Sequence, residues 1–491
     1  MKYQSTRGGS IVSASQAIVK GLAPDGGLYV PASIPVIDDL MALCNLSYQE
    51  RAVQVLSRFL TDFTAEEVKK CVQSAYTAEK FGSEVIAPLH KLDDYAQVLE
   101  LWHGPTCAFK DMALQILPHL LITSMRKNGI TEEVTILVAT SGDTGKAALE
   151  GFKDVTGTRI IVFFPENGVS RMQRLQMVTQ EGKNVGVAAV RGNFDDAQNG
   201  VKSIFTDDSF NRELKERGYV LSSANSINWG RLVPQIVYYL SAWATMVKNG
   251  EITPDEKINV TVPTGNFGNI LAAYYAGKMG MPLGKLICAS NANDVLTDFI
   301  RTGEYNRNRA FHLTMSPSMD ILISSNLERF LYDMEGQDAE SVSAYMQSLK
   351  ESGKYQIRQE TFVKMQDCLW AGSCDDTETL AVIRDTKDKY GYVVDTHTAV
   401  ALGVYEKYKK VTGDTSKTVI ASTASPYKFG KSVLAALGGN TETDDFSMLQ
   451  EIKEKSGFAI PVSLWELQNK EERFKTVCAP DEMREAVRKM L

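Results

Sequence analysis

Strands without a polar face recur along this chain, each followed by a glycine-bearing loop and a helix-forming stretch. "VTILVAT" runs through "SGDTGK" into "AALEGFKDVTG", "RIIVFFP" precedes "ENGVSRMQRLQMVTQEG", and "NVGVAAV" precedes "RGNFDDAQNGVKSIFTDD". Much later, "KINVTVP" leads through "TGNFGN" to "ILAAYYAGKMG", and "KLICAS" and "KTVIAST" are further strands of the same kind. A strand that is apolar on both faces must be covered on both, and alternation with helices supplies that cover. The pattern restricts the chain to an α/β architecture with parallel sheets. In such sheets ligands sit at the loops that follow the strand carboxyl ends.

The 491 residues are too many for one core, which suggests roughly two to four domains. No repeat or Pro/Ser-rich linker marks a boundary, so boundaries come from changes of pattern. Residues 1–95 mix short strand-like pieces such as "GGLYVP" with the helical stretch "AEEVKKCVQSAYTAEKF" and form an N-terminal domain. Residues 96–245 read as a small α/β domain, and 246–491 as a large one with a helical C-terminal segment.

The net charge of −7, with no cluster of basic and aromatic residues, argues against a nucleic-acid partner. "MKYQSTRGGS" lacks the apolar core of a signal peptide. "LVPQIVYYLSAWATMV" is short of a membrane span, carries Pro234, Gln235 and Ser241, and reads as a buried core helix. The seven cysteines form no C-x-x-C pair and the five histidines no H-x-x-x-H pair. A reduced cytoplasmic protein without a zinc site is expected.

Four loops and one lysine carry the chemistry. In "HGPTCAFKD", Lys110 stands among small and apolar residues, a setting that lowers an amine's pKa and suits a neutral nucleophile. "PTGNFGN" places Gly265 and Gly268 at a strand-to-helix turn, where backbone N–H groups can cradle one small phosphate. An ordinary glycine turn fits it equally. "SGDTGK" fails as a nucleotide P-loop, because two residues separate Gly142 from Gly145 and Ala147 stands where a Ser or Thr is needed. What remains there is either a substrate-carboxylate site or a helix cap. "SSANSINWGRL" gathers Asn225, Ser226, Asn228 and Arg231 before an apolar helix, as an anion site or as a hydrogen-bonded connection. "STASPYKF" puts Ser422, Thr423 and Ser425 at a strand end, where a hydroxyl can face a heterocyclic nitrogen or simply start a turn.

Together, "HGPTCAFKD", "ATSGDTGKAALEGF", "NSINWGRLVPQIVYY", "PTGNFGNILAAYYA", "DTHTAVA" and "STASPYKF" resemble the threonine synthase family in order and character. "YQSTRG" and "GLAPDGGLYVP" resemble its N-terminal segment, and "GFAIPVSLWELQNKEER" its C-terminal one. The resemblance implies a pyridoxal 5′-phosphate (PLP) enzyme of fold type II, the tryptophan synthase β-subunit fold. That fold has two parallel-sheet α/β domains, here beside a smaller N-terminal one. It implies that Lys110 holds PLP as a Schiff base, that Gly265, Asn266, Phe267, Gly268 and Asn269 hold the cofactor phosphate, and that Thr423 faces the pyridine nitrogen. Ser141, Asp143 and Thr144 fall on the segment expected to meet the substrate carboxylate. Asn225, Asn228 and Arg231 fall where contacts to a substrate phosphate are expected. Lys146 stands where a small residue is expected. The implied reaction converts O-phospho-L-homoserine and water to L-threonine and phosphate. A phospho-lyase of the same fold releasing a 2-oxo acid would share every cofactor residue, and a non-catalytic PLP-binding relative is a further alternative.

Overall fold

The computed structural model describes residues 1–9 and 11–491. The apolar strands assemble into two sheets. The larger has six strands in the spatial order Leu369–Ser373, Leu283–Ser290, Ile258–Pro263, Thr418–Ser422, Ala96–Glu100 and Leu89–Lys91. Only the last pairing is antiparallel. At its centre Ile420 pairs with Thr261 on one side and Val98 on the other. The smaller sheet has five parallel strands in the order Thr476–Cys478, Val185–Val190, Thr158–Pro165, Glu133–Ala139 and Tyr219–Ser222. Every residue of Ile258–Pro263 is buried, as a strand covered on both faces requires.

The expected core helix is Trp229–Lys248, buried along nearly its whole length, Pro234 included. Of the described residues, no helix is long and apolar enough to cross a membrane. The helical stretch expected after residue 65 divides into Ala65–Ala75 and Ala78–Phe81. The break falls where Thr77 caps the second helix and the Tyr76 hydroxyl donates to Met112 O at 2.6 Å.

The boundaries at 95 and 245 do not separate the sheets. Ala96–Glu100 pairs with Thr418–Ser422 in the larger sheet, and the strand Thr476–Cys478 joins the smaller one, with the C-terminal helix Met483–Met490 packed beside it. Both strands pair with segments distant in sequence. The loops singled out above all follow carboxyl ends of parallel strands, those after Glu133–Ala139 and Tyr219–Ser222 in the smaller sheet and the rest in the larger.

Candidate active site

Lys110 is delivered by a turn tied down on both sides. Cys107 takes a left-handed φ of 59°, and the Asp111 carboxylate accepts from Thr106 N and Thr106 Oγ1, each at 2.8 Å. Phe109 N donates to Thr423 O at 2.8 Å and Ser425 N to Cys107 O at 3.0 Å. The lysine loop is thereby sewn to the "STASPYKF" turn. Lys110 Nζ donates to Ser318 Oγ at 3.2 Å and lies 3.7 Å from Asp143 Oδ2. Burial is the main influence on its amine and lowers the pKa. Asp143 opposes this, while Lys428 and Arg231 add to it.

The "SGDTGK" loop opens the helix Asp143–Phe152 with Gly142 at φ 145°. Neither Ser141 nor Asp143 caps it. Instead Thr140 Oγ1 accepts from Gly142 N and Gly145 N, both at 3.0 Å. First-turn N–H groups such as those of Asp143 and Thr144 have no intrahelical acceptor. The Asp143 side chain is turned to cations. Its Oδ1 lies 3.2 Å from Lys428 Nζ and accepts from Gln173 Nε2 at 3.1 Å. Burial works against its charge, but Lys428 and then Lys110 outweigh it and hold the carboxyl well below the usual range. An ionised carboxylate repels a substrate carboxylate, so at this residue the backbone N–H is the fitting donor. Ser141 is exposed at the rim. Lys146 is paired with Glu150 Oε2 at 3.1 Å and also donates to Gln180.

In the glycine loop the left-handed residue is Phe267, at φ 64°, immediately before the helix Gly268–Lys278. Gly265 is needed for space: a Cβ there would lie 2.7 Å from Ser318 O. A Cβ on Gly268 would meet Asn326 Nδ2 at 3.4 Å, an ordinary contact distance. Asn266 O accepts from Asn326 N at 3.0 Å, leaving the exposed Asn266 side chain at the loop's outer edge. Asn269 Oδ1 accepts from Tyr238 OH at 2.7 Å and from Tyr239 OH, whereas Asn269 Nδ2 is buried with no partner. Ser318 thus touches both the glycine loop and Lys110. Thr423 is buried and uses its carbonyl on Phe109 N.

Of the three residues expected at a substrate phosphate, the structure sets one apart. Arg231 is 5% exposed, donates through Nη1 to Ala224 O at 2.8 Å, and keeps a buried Nε without a partner. Among the described residues no carboxylate lies within ion-pair reach of it, and burial pushes its guanidinium down to about 10. Asn228 is occupied elsewhere: its Oδ1 caps the long helix at Gly230 N, 2.8 Å away, and its Nδ2 donates to Ile18 O at 2.9 Å. The amide oxygen caps the long helix and the amide nitrogen ties the N-terminal helix to the core, so Asn228 stands in this structure as a cap and a link between elements. Asn225 is exposed beside it. Arg7 is held by Glu328 in a bidentate pair at 2.9 and 2.8 Å.

Sequence reasoning missed Lys428, Ser318, His397 and Asp395. Ser318 N donates to His397 Nε2 at 3.2 Å, so the imidazole carries its proton on Nδ1, 2.8 Å from Asp395 Oδ2. His397 and Asp395 lie in "DTHTAVA", a segment singled out as a motif but given no role.

A shielded lysine, a glycine loop at a helix start and a buried hydroxyl turn, all at strand carboxyl ends, define the PLP-dependent enzymes of fold type II. Residues 88–424 match the family model for pyridoxal-phosphate dependent enzymes. Residues 2–76 match the threonine synthase N terminus, and 398–490 the threonine synthase C-terminal model. The chain is 38% identical to the threonine synthase of Pseudomonas aeruginosa over 437 residues, 88% of this chain and 90% of that one. It superimposes on the PLP-bound threonine synthase of Brucella melitensis with a TM-score of 0.89 and 38% identity, covering 100% of this chain and 99% of that one. It is also 42% identical over 435 residues, 86% of its length, to human threonine synthase-like 1, of which it spans 58%. The chain belongs to the threonine synthase family, and its cofactor is pyridoxal phosphate.

The residues present fit that cofactor. The first-turn N–H groups of Gly268–Lys278, the unpartnered Asn269 Nδ2 and the space that Gly265 leaves open suit a phosphate. The buried Lys110 amine suits an aldehyde.

Proposed function

We propose that this chain converts O-phospho-L-homoserine and water to L-threonine and inorganic phosphate. The observation that carries the reading is Arg231, a buried guanidinium with no acidic partner among the described residues, whose charge is felt at Lys110. A buried cation without a counter-ion is a site for an anion brought by a ligand. When bound, pyridoxal phosphate supplies an aldehyde carbon for amines and a ring that draws electrons from the skeleton of an attached amino acid.

Around it the chain's residues take separate tasks. Lys110 holds the cofactor between turnovers and, once displaced, takes the proton from the substrate Cα and moves protons at Cβ and Cγ. Gly265 to Asn269 would hold the cofactor phosphate, and the Thr423 hydroxyl would serve the ring nitrogen as its hydrogen-bond partner. The N–H groups of Asp143 and Thr144, with Ser141 at the rim, receive the substrate carboxylate. Arg231 holds the substrate phosphate, with Asn225 at the outer edge. In balance, Cγ loses phosphate and gains hydrogen, while Cβ loses hydrogen and gains the hydroxyl of water. All seven cysteines are free, which suits the reducing cytoplasm in which we place the enzyme.

The deciding experiment is a product assay on O-phospho-L-homoserine. Threonine and phosphate in equal amounts are expected. Phosphate with 2-oxobutyrate would replace this reading by that of a phospho-lyase.

A further inference from the structure

The Asp143 carboxylate stands between two buried lysines, and the two contacts differ. Oδ1 lies 3.2 Å from Lys428 Nζ, and Oδ2 lies 3.7 Å from Lys110 Nζ. Lys428 has a second acceptor, Thr106 O at 2.7 Å, and its side chain is 0% exposed, against 11% for Lys110. Thr106 belongs to the turn that delivers Lys110, so the three charges are fixed on one frame. Lys428 thus has a carboxylate oxygen and a backbone carbonyl as close acceptors, whereas Lys110 has a hydroxyl at 3.2 Å and the more distant carboxylate oxygen.

We propose that Lys428 is a positioning residue that occupies Asp143, so that Lys110 is released to act as a neutral amine. This rests on Lys110 being the reactive amine of the reaction proposed above. A lysine facing Asp143 alone would be held as an ammonium by that single close anion. With Lys428 present, the anion is shared and the nearer cation takes the larger part. The other titratable groups facing this frame are the Arg231 guanidinium, from the long helix, and the His397 imidazole, beside Asp143. Asp111, which accepts from Thr106, is a second carboxylate at which the charge of Lys428 is felt. Lys428 is locked between a carboxylate and a backbone carbonyl, and Lys110 is not.

The test reads the proton affinity of Lys110 in the full chain before cofactor is added. Trace acetylation with acetic anhydride between pH 6 and 11, followed by peptide mass analysis, gives the midpoint at which Lys110 becomes reactive. Removing one of two cations from a shared anion is expected to raise that midpoint by about one pH unit or more. At a pH below both midpoints this is a roughly tenfold slower labelling of Lys110 in Lys428→Met. Lys428→Arg retains the charge and is expected to stay near the parent, while Asp143→Asn moves the midpoint down. Lys428→Gln carries the same expectation as Lys428→Met and serves if the methionine variant does not fold. An unchanged or lowered midpoint in a folded Lys428→Met or Lys428→Gln chain overturns the proposal. The product assay is separate: the shift without threonine formation overturns the reaction alone, and threonine formation without the shift overturns the role of Lys428 alone.

Discussion

Arg231 invites a substitution whose effects on folding and on function have opposite signs. Burial alone pushes its guanidinium down to about 10. Each tenfold of proton affinity corresponds to about 1.4 kcal/mol, so the buried charge costs roughly 3 kcal/mol of folding stability. Arg231→Met removes that penalty together with the hydrogen bond to Ala224 O, a loss of about 1 kcal/mol or somewhat more. The net expectation is a variant at least as stable as the parent, gaining on the order of 1–2 kcal/mol. Catalysis should move the other way. Losing one partner of a buried charge pair with a phosphate costs about 2–5 kcal/mol, roughly 30-fold to several thousand-fold in kcat/KM for O-phospho-L-homoserine. The preference over unphosphorylated homoserine should narrow with it. The assays are urea unfolding of the chain and initial rates on both substrates, with the visible spectrum of the bound cofactor as a control. A variant that is destabilised by several kcal/mol yet keeps the parent's preference would refute the reasoning, because Arg231 would then be a structural residue.

Further expectations follow from single contacts. Lys110→Ala should retain some cofactor through the glycine loop, lose turnover by several orders of magnitude and lose the borohydride-stable label, which in the parent should map by peptide analysis to Lys110. Gly265→Ala places a Cβ 2.7 Å from Ser318 O and should weaken cofactor binding more than Gly268→Ala, whose Cβ meets Asn326 at 3.4 Å; equilibrium dialysis ranks the two. Thr423→Asp should keep the cofactor but raise side products relative to threonine, since a carboxylate at the ring nitrogen strengthens the electron sink; unchanged product partition on chromatography would count against that placement. Asp143 is held below the usual carboxylate range by Lys428 and Lys110 against the penalty of burial, so its contribution to stability is complete above about pH 4 and is lost as the pH falls further. Urea unfolding between pH 7 and 3 should show a shallower acid decline in Asp143→Asn than in the parent.

The sheets were legible because strands buried on both faces are apolar throughout, a property that survives in the sequence without knowledge of the partner strand. The domain boundaries were not. The pairing of Ala96–Glu100 with Thr418–Ser422 joins segments far apart in the chain, and nothing local to "AQVLE" announces which sheet it enters. The strand Thr476–Cys478 is three residues long and partly exposed, too short to show any period. At the site, Asn228 was ambiguous for a physical reason: an amide before an apolar helix suits an anion and a cap alike, and only the structure shows it capping at Gly230 N and reaching Ile18 O. Lys428 was legible in principle. It stands in "SPYKFG" among small and aromatic residues, as Lys110 stands in "TCAFKD". Pro426 gave the segment the look of a surface turn and hid the likeness. Burial of both lysines around one carboxylate makes their chemistry a joint property: burial lowers the pKa of Lys110, Asp143 opposes this, and Lys428 shares that carboxylate at the shorter distance. A lysine among apolar neighbours is therefore an incomplete signal of a reactive amine. The completing signal is an acid it must share, here Asp143, and that is visible only once the strands have brought three loops together.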